Sequence, residues 1–195
     1  MRKPRRLAAG LALAAAATLV LLAPRPAGAG GAEWTELAPA GGGFTVMLPG
    51  TPRESSMDVS TDLGTIKATT YTLELAGDHA YMIVHSDFPR EAMKQVKSDA
   101  ILDSARDGAV ANVKGKLKSE KKIKLGFSPG RALVVESSDG SLLLNARVYL
   151  VKERLYQAIV VNARAKVVQA DVDRFLGSFK LAAKKGPSKA TKPAR

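Results

Sequence analysis

Residues 131–162 read RALVVESSDGSLLLNARVYLVKERLYQAIVVN, and this stretch decides the fold. Two strand-like segments, 131–137 and 142–151, flank Asp139-Gly140, a dipeptide that favours the tight turn of a β-hairpin. A third segment, 155–162, is apolar enough to predict a central strand. We therefore expect a β-sheet built around these three strands.

The segments on either side of this stretch extend the pattern. Upstream, residues 116–125 alternate between apolar and lysine side chains, which predicts a further strand. Downstream, over residues 166–177, apolar side chains recur at helical spacing, which predicts a closing helix with one face on the sheet. That face comprises Val168, Val172, Phe175, Leu176 and Phe179.

The first half of the chain also begins with strands. Four strand-like segments separated by turns predict an antiparallel meander, and from Pro89 the apolar spacing changes to three and four, which predicts a middle helix of about twenty residues. The order of strands, helix, strands and helix indicates an α+β fold, in which both helices pack on a mainly antiparallel sheet. The four predicted strands are 44–48, 53–59, 65–75 and 80–88.

Several strand and turn segments carry a family resemblance. They are 44–52 (FTVMLPGTP), 128–131 (SPGR), 146–151 (ARVYLV), 155–157 (LYQ) and 175–179 (FLGSF). They look like segments of a group of uncharacterised secreted bacterial proteins whose fold is similar to the PsbP-like α/β/α sandwich. The resemblance implies an exported, non-enzymatic binding or assembly module, as the extrinsic photosystem proteins of that fold are. It transfers no catalytic residues.

The start of the chain has the three zones of a secretory signal peptide: a cationic segment, an apolar run over 7–23, and small residues that end in Ala27-Gly28-Ala29. The alternative is a retained membrane anchor, but the run is shorter than the ~20 residues that a spanning helix needs. We predict a signal peptide over 1–29, a flexible linker over 30–43, and a protein that is periplasmic or extracellular. One domain follows over 44–183.

The formal net charge of +12 is concentrated at the two ends of the chain. Residues 1–29 hold five basic residues and no acidic one, and so does the tail over 184–195, which we expect to be disordered. Residues 30–183 hold 20 basic residues against 18 acidic ones, which leaves a net charge of +2. A nearly neutral domain argues against nucleic-acid binding. The chain also has no cysteine, so neither disulfides nor a lipid anchor on cysteine can form.

The sequence has no phosphate-binding loop, and its one Gly-x-Ser-x-Gly match is residues 126–130. This match lies between two predicted strands, where we expect a turn rather than the strand-to-helix elbow of a hydrolase. The two histidines, His79 and His85, lie six residues apart with Asp78 and Asp87 beside them, and a short hairpin could bring them within reach of each other. This spacing does not match that of a zinc site. We therefore expect no catalytic, cofactor or metal site. The alternative hypothesis is a hydrolase with a site near His79 and His85.

A run of lysines marks the predicted strand 116–125. Strand alternation places five of these side chains on one face of an extended segment, where they either protect a sheet edge from pairing or bind an anionic ligand. In the second case Lys184 and Lys185 of the basic tail reinforce the charge. The five are Lys114, Lys116, Lys118, Lys122 and Lys124.

A second candidate surface for a ligand or partner comprises Arg147, Tyr149 and Gln157, which we expect to point outward from the last two long strands. Cross-strand packing under a covering helix explains these residues equally well. Together, the observations predict an exported, non-catalytic binding or accessory module of the cell envelope. Its partner is an unknown protein or an anionic envelope component, and the basic tail is a candidate for contact with a membrane surface. Besides the hydrolase, a second alternative is an electrostatic adaptor that binds anionic envelope surfaces through the lysine strand and the tail.

Overall fold

The computed structural model describes residues 33–61 and 63–182, so the predicted signal peptide and basic tail, with Lys184 and Lys185, lie outside the described residues. Within these residues the helices are α1 Arg90–Met93, α2 Ser98–Asn112 and α3 Gln169–Ser178, and a 3-10 turn spans Arg164–Lys166. The strands are β1 Thr35–Leu37, β2 Phe44–Leu48, β3 Arg53–Thr61, β4 Gly64–Leu75, β5 His79–Asp87, β6 Gly115–Leu125, β7 Ser128–Ser137, β8 Leu142–Val151, β9 Arg154–Ala163 and β10 Lys180–Leu181.

Seven of these strands form one antiparallel sheet in the order β3-β4-β5-β9-β8-β7-β6. The hairpin of β7 and β8 turns at Asp139-Gly140, and β9 lies at the centre of the sheet between β5 and β8. Gly140 has a φ of 71°, a left-handed conformation that glycine adopts without steric cost. The predicted α+β class, the hairpin and the central strand are therefore confirmed.

The strand β2 does not belong to the meander that we predicted. It lies between β1 and β10 in a separate three-stranded sheet, where it pairs with the last described strand of the chain. All three of its core-facing side chains, Phe44, Val46 and Leu48, are buried, which a second layer over the main sheet requires. The strand β1, which also pairs with β2, lies within the predicted flexible linker 30–43, so Thr35–Leu37 of that segment form a strand.

The main sheet has a hydrophobic core on each face. The α2 core joins α2 to residues of β4, β7, β8 and β9, and the α3 core joins α3 and β2 to the opposite face. The chain thus forms three layers: α2, the seven-stranded sheet, and α3 with the small sheet. The largest fully buried side chains of the α2 core are Ile66, Ile101, Leu102, Leu133 and Leu155, and those of the α3 core are Tyr81, Phe44, Phe175, Leu48 and Ile83.

Both predicted helices are shorter than expected. The middle helix is split, because Lys97 is extended (ψ 141°) and ends the helical path between α1 and α2. The closing helix begins at Gln169 rather than near residue 166, so Val168 precedes its first turn and is 51% exposed instead of lying on the buried stripe. The other four residues of that stripe are buried, as predicted.

Candidate functional site

The lysine-rich strand β6 forms one edge of the main sheet, next to β7 alone. A β-bulge interrupts its pairing: Leu117 lies opposite Val135, but Ser119 lies opposite Val134, which leaves Lys118 as an extra residue. Because side chains alternate along a strand, one extra residue moves all later side chains to the other face.

The bulge contradicts the prediction that five lysines share one face. Lys116 and Lys122 lie on opposite faces, since Lys116 pairs with Glu136 and Lys122 with Arg131. Lys114 precedes the strand in a left-handed conformation with a φ of 45°, so it does not belong to the alternating set. Lys122 and Lys124 lie on the α2 side of the sheet. The five lysines are therefore divided between the two faces and the two ends of β6.

The lysines at the start of β6 surround a carboxylate. Lys118 Nζ lies 3.0 Å from Glu136 Oε2, and Arg164 forms a further ion pair with the same carboxyl group. The hydrogen bond from Lys118 and the charge of Arg164 hold the pKa of Glu136 below its usual value. Lys118 is therefore paired, whereas Lys114 and Lys116 take part in no ion pair within residues 33–61 and 63–182.

The other end of β6 leads into the turn Gly126-Phe127. Gly126 is left-handed (φ 60°), and the Phe127 side chain is fully exposed, at 105% of its reference area. Within the described residues, Lys121 and Lys124 take part in no ion pair, and Lys122 Nζ lies 4.0 Å from the carboxylate of Asp99. We call Lys121, Lys122, Lys124 and Phe127 the tip cluster. The sequence predicts a turn over 126–130, whereas the turn in the structure has two residues and Pro129 lies within β7.

A network of ion pairs lines an open pocket between α2 and the edge of the sheet. Arg131, whose side chain is 5% exposed, lies 2.5 Å from Asp99 and 3.0 Å from Glu120, with Asp103 at 3.7 Å. Arg106 Nη1 lies 3.1 Å from Asp103 and 3.3 Å from Glu120. The hydrogen bond from Arg131 lowers the pKa of Asp99, so this carboxyl group is ionised well below neutral pH. Each charged side chain that lines the pocket is therefore paired with an opposite charge.

The bulge also positions this network. Glu120 lies opposite Leu133, a residue of the α2 core, and so faces α2 together with Arg131. Sequence reasoning missed the network, although one signal was present: Arg131 begins the inward series that Leu133 and Val135 continue. A charged residue at an apolar position indicates a buried ion pair.

The two histidines lie at opposite ends of β5. His79 begins the strand and His85 is six residues further on, which corresponds to about 20 Å in an extended chain. The hypothesis that a hairpin brings them together is therefore wrong. Burial lowers the pKa of both, and the charge of Arg154 lowers that of His85 further. His85 is buried among the rings of Phe44, Tyr71 and Tyr156.

The second predicted surface, Arg147, Tyr149 and Gln157, does not exist as one exposed patch. Tyr149 is buried and its ring stacks on that of Phe179, with 5.7 Å between ring centroids. Arg147 donates a hydrogen bond of 3.1 Å to the carbonyl of Leu176 near the end of α3. Gln157 is buried opposite Val148, a residue of the α2 core, so it lies on the other face. Packing under a helix, the alternative that we weighed, is the arrangement observed for Arg147 and Tyr149.

Arg154 is a further organising residue that the sequence did not reveal. It forms a two-point ion pair with Asp87, and its Nη1 donates to the carbonyls of Gly41 at 2.7 Å and Gly42 at 3.0 Å. The hydroxyl of Tyr156 also donates to the Gly42 carbonyl, at 3.1 Å. These contacts fix the glycine segment before β2 against β9. No local sequence signal connects positions more than 100 residues apart.

The described residues, 33–61 and 63–182, lack two other classes of site. No group of three histidine, aspartate or glutamate side chains there could hold a metal ion. No helix in the same part of the chain is long and apolar enough to cross a membrane.

Comparison with known proteins identifies the fold. No family model and no curated protein matches the sequence. Among solved structures, the chain is similar to cyanobacterial PsbP (CyanoP) from Synechocystis sp. PCC 6803, determined in solution, with 13% sequence identity and a TM-score of 0.53. The match covers 82% of this chain and 98% of that one. The resemblance to the PsbP-like sandwich that we inferred from the sequence therefore holds at the level of the fold.

Proposed function

We propose that this protein is an exported, non-catalytic binding or accessory module of the cell envelope. Its first 29 residues have the pattern of a secretory signal peptide. Its PsbP-like fold supports an accessory role, because the resemblance implies a binding or assembly module. Fold alone does not determine function, so the chemistry of the candidate site must support the same conclusion.

The observation that carries this proposal is the pocket between α2 and β6, whose charged side chains are paired with one another. Arg131 and Arg106 share the carboxylates of Asp103 and Glu120, and Arg131 also binds Asp99. These contacts raise the pKa of both arginines and lower that of Asp99. General acid–base catalysis needs a pKa shifted toward neutral pH, whereas these shifts lead away from it. The ion pairs serve instead to hold α2 against the edge of the sheet.

The hydrolase alternative loses its geometric basis. It required His79 and His85 to act together with carboxylates, and they lie about 20 Å apart along β5. His85 is also enclosed by three aromatic rings, which leaves little access for a substrate.

The electrostatic adaptor remains as a second candidate, with the tip cluster as the observation that favours it. Lys121 and Lys124, which take part in no ion pair within the described residues, lie beside the exposed ring of Phe127. Together they form a surface that attracts anionic groups and also has an apolar element. The basic tail, with Lys184 and Lys185, adds charge to the same chain.

Cell fractionation with mass spectrometry of the recovered N-terminus tests export. We expect the protein outside the cytoplasm, starting at Gly30. A matched control replaces Arg2, Lys3, Arg5 and Arg6 with glutamine and should stay in the cytoplasm at precursor mass. Recovery of the unprocessed wild-type chain in the cytoplasm would contradict the proposal.

Activity assays test the absence of catalysis. We expect no turnover of ester, phosphoester, glycoside or peptide substrates by the purified protein. Turnover that persists in wild type and is lost in a correctly folded His85→Phe or His79→Phe variant would support the hydrolase instead. Phenylalanine suits the aromatic surroundings of both positions.

A further inference from the structure

The exposed ring of Phe127 is the feature from which this inference starts. Its side chain is fully exposed on a two-residue turn whose preceding glycine has open space around it. The ring therefore contributes nothing to either core of the domain. A turn between β-strands is normally polar, so the phenylalanine gives this turn an unusual apolar group, whose role depends on the side chains around it.

The charges near this ring have one sign. Lys121 lies on the α3 side of β6, and Lys122 and Lys124 lie on the α2 side, so the turn has lysines on both faces. The turn of β8 and β9 lies at the same end of the sheet, about 10 Å away across two strand spacings. It presents the exposed Lys152, which has no ion pair within the described part of the chain.

The acidic side chains nearest these lysines are engaged by arginines. Asp87 pairs with Arg154, Asp99 with Arg131, and Glu153 with Arg90 at 3.2 Å. Lys122 shares Asp99 with Arg131, whereas Lys121, Lys124 and Lys152 take part in no ion pair within the described residues and are left to interact with an external anion. At the opposite end of β6, Glu136 pairs with Lys118 and with Arg164.

From this combination we infer that the tip cluster is a membrane-docking element, in which Phe127 inserts into the interfacial region of an anionic lipid surface while the lysines contact the headgroups. This inference rests on the proposed accessory function at the cell envelope and names its partner. Lipid fits better than an acidic protein because the ring projects from a narrow turn, which suits insertion between headgroups. Each lysine close to an anionic bilayer strengthens binding about fivefold, and burial of the ring about tenfold or more.

Sedimentation with lipid vesicles tests this inference on the full chain purified from the cells that export it. We expect binding to vesicles of phosphatidylglycerol and phosphatidylcholine in equal parts, no binding to pure phosphatidylcholine, and loss of binding in high salt. Phe127→Ser should weaken binding about tenfold. The control Met57→Ser removes an exposed apolar side chain from β3, at the other edge of the sheet, and should bind as wild type.

A second pair of variants separates local from general electrostatics. Lys121→Gln combined with Lys124→Gln should weaken binding by about 25-fold. Lys114→Gln combined with Lys116→Gln removes the same charge from the far end of β6 and should have little effect. All four variants should melt within about 2 °C of wild type, because these side chains lie on the surface.

Tryptophan fluorescence gives a direct readout of insertion. The only natural tryptophan is Trp34, which packs against Tyr81 and Arg174. Phe127→Trp should show a blue shift on addition of anionic vesicles that the wild type lacks. Absence of wild-type binding to these vesicles would overturn the inference, whatever acidic protein the chain also binds. Wild-type affinity in Phe127→Ser would overturn it as well, because the tail alone would then explain binding. Either result would overturn only the lipid-docking inference, because the fractionation and activity experiments test the proposed accessory function separately.

Discussion

Arg131 is the residue on which the contact between α2 and the sheet edge depends most. Its guanidinium group joins Glu120 of β6 to Asp99 and Asp103, which lie one turn apart on α2. The arginine side chain is almost fully buried, while its carboxylate partners are partly exposed. Without the arginine, three negative charges would face one another with only Arg106 between them.

Replacement of Arg131 by methionine tests this role. We expect the free energy of unfolding to fall by about 2 kcal/mol, less than for a fully buried pair because the carboxylates remain partly hydrated. Urea denaturation measures the change. The matched control is Lys122→Met, which removes an exposed cation 4.0 Å from Asp99 and should change stability by no more than about 0.5 kcal/mol. Equal effects of the two substitutions would show that Arg131 is not the organising cation.

The carboxyl group of Asp139 should contribute to the way in which the free energy of unfolding depends on pH. Its carboxylate accepts hydrogen bonds from Ser137 Oγ at 2.6 Å and from the Ser141 amide at 3.0 Å, and these lower its pKa from 3.8 to about 2. Because the folded-state pKa lies below the unfolded value, the stabilisation is complete above about pH 4 and is lost as the pH falls toward 2.

The variant Asp139→Asn isolates this contribution. Asparagine keeps an oxygen acceptor, and Asn-Gly favours the same type of hairpin turn. We expect the free energy of unfolding of the variant to fall less steeply than that of wild type between pH 4 and pH 2, as measured by urea titration at each pH. Identical pH profiles would exclude Asp139 as a contributor. Asp99 and Glu136, whose pKa values are also lowered, should account for part of the remaining acid sensitivity.

At the scale of elements, the bulge in β6 decides which side chains meet which core. After Lys118, Glu120 faces α2, and Ile123 and Leu125 face the α3 core. Without the bulge, the side chains in one half of β6 would point to the opposite face of the sheet. The bulge also bends and twists an edge strand, which together with the lysines discourages pairing with another sheet.

Deletion of Lys118 should therefore cost far more than removal of its charge. The deletion forces one half of β6 onto the wrong face, and we expect a loss of about 2 kcal/mol or more, because apolar contacts and the Glu120 ion pairs are disrupted. Lys118→Ala removes only an exposed ion pair with Glu136 and should cost no more than about 1 kcal/mol. Thermal unfolding followed by circular dichroism compares the two. A deletion variant as stable as Lys118→Ala would mean that the strand tolerates either register.

At the scale of the whole molecule, β9 couples the two cores. Leu155 and Ile159 point into the α2 core, while Tyr156, Ala158 and Val160 point into the α3 core. Because one strand supports both faces, neither core can form in full without the other. We expect the domain to unfold as one cooperative unit.

Leu102→Ala tests this coupling. Leu102 is fully buried in the α2 core, and its truncation should lower the free energy of unfolding by about 3 kcal/mol. Trp34 lies on the other side of the sheet, beside Tyr81, and reports on the α3 core. In this variant the unfolding midpoints from Trp34 fluorescence and from circular dichroism should shift together. Separate midpoints would show that the two cores unfold independently.

Most of the long strands and the closing helix could be predicted from the sequence, because strand and helix patterns are local. Alternation and the Asp139-Gly140 turn predicted β7 and β8, and the apolar run of β9 predicted its central position. Predictions failed where a distant contact overrides the local pattern. The partner of β2 is β10, about 135 positions away along the chain, and no pattern within Phe44–Leu48 indicates that pairing.

By itself, the sequence determined the α+β class, the near-neutral charge of residues 30–183 and the lysine-rich composition of β6. Only the tertiary structure decided which faces these side chains occupy. A single extra residue at Lys118 divides the lysines between both faces, and the packing of α3 buries Tyr149, which the sequence had suggested as a surface residue. The physical reason is that composition and periodicity are properties of neighbours in the chain. Burial and ion pairing depend instead on the residues that folding brings together from distant positions.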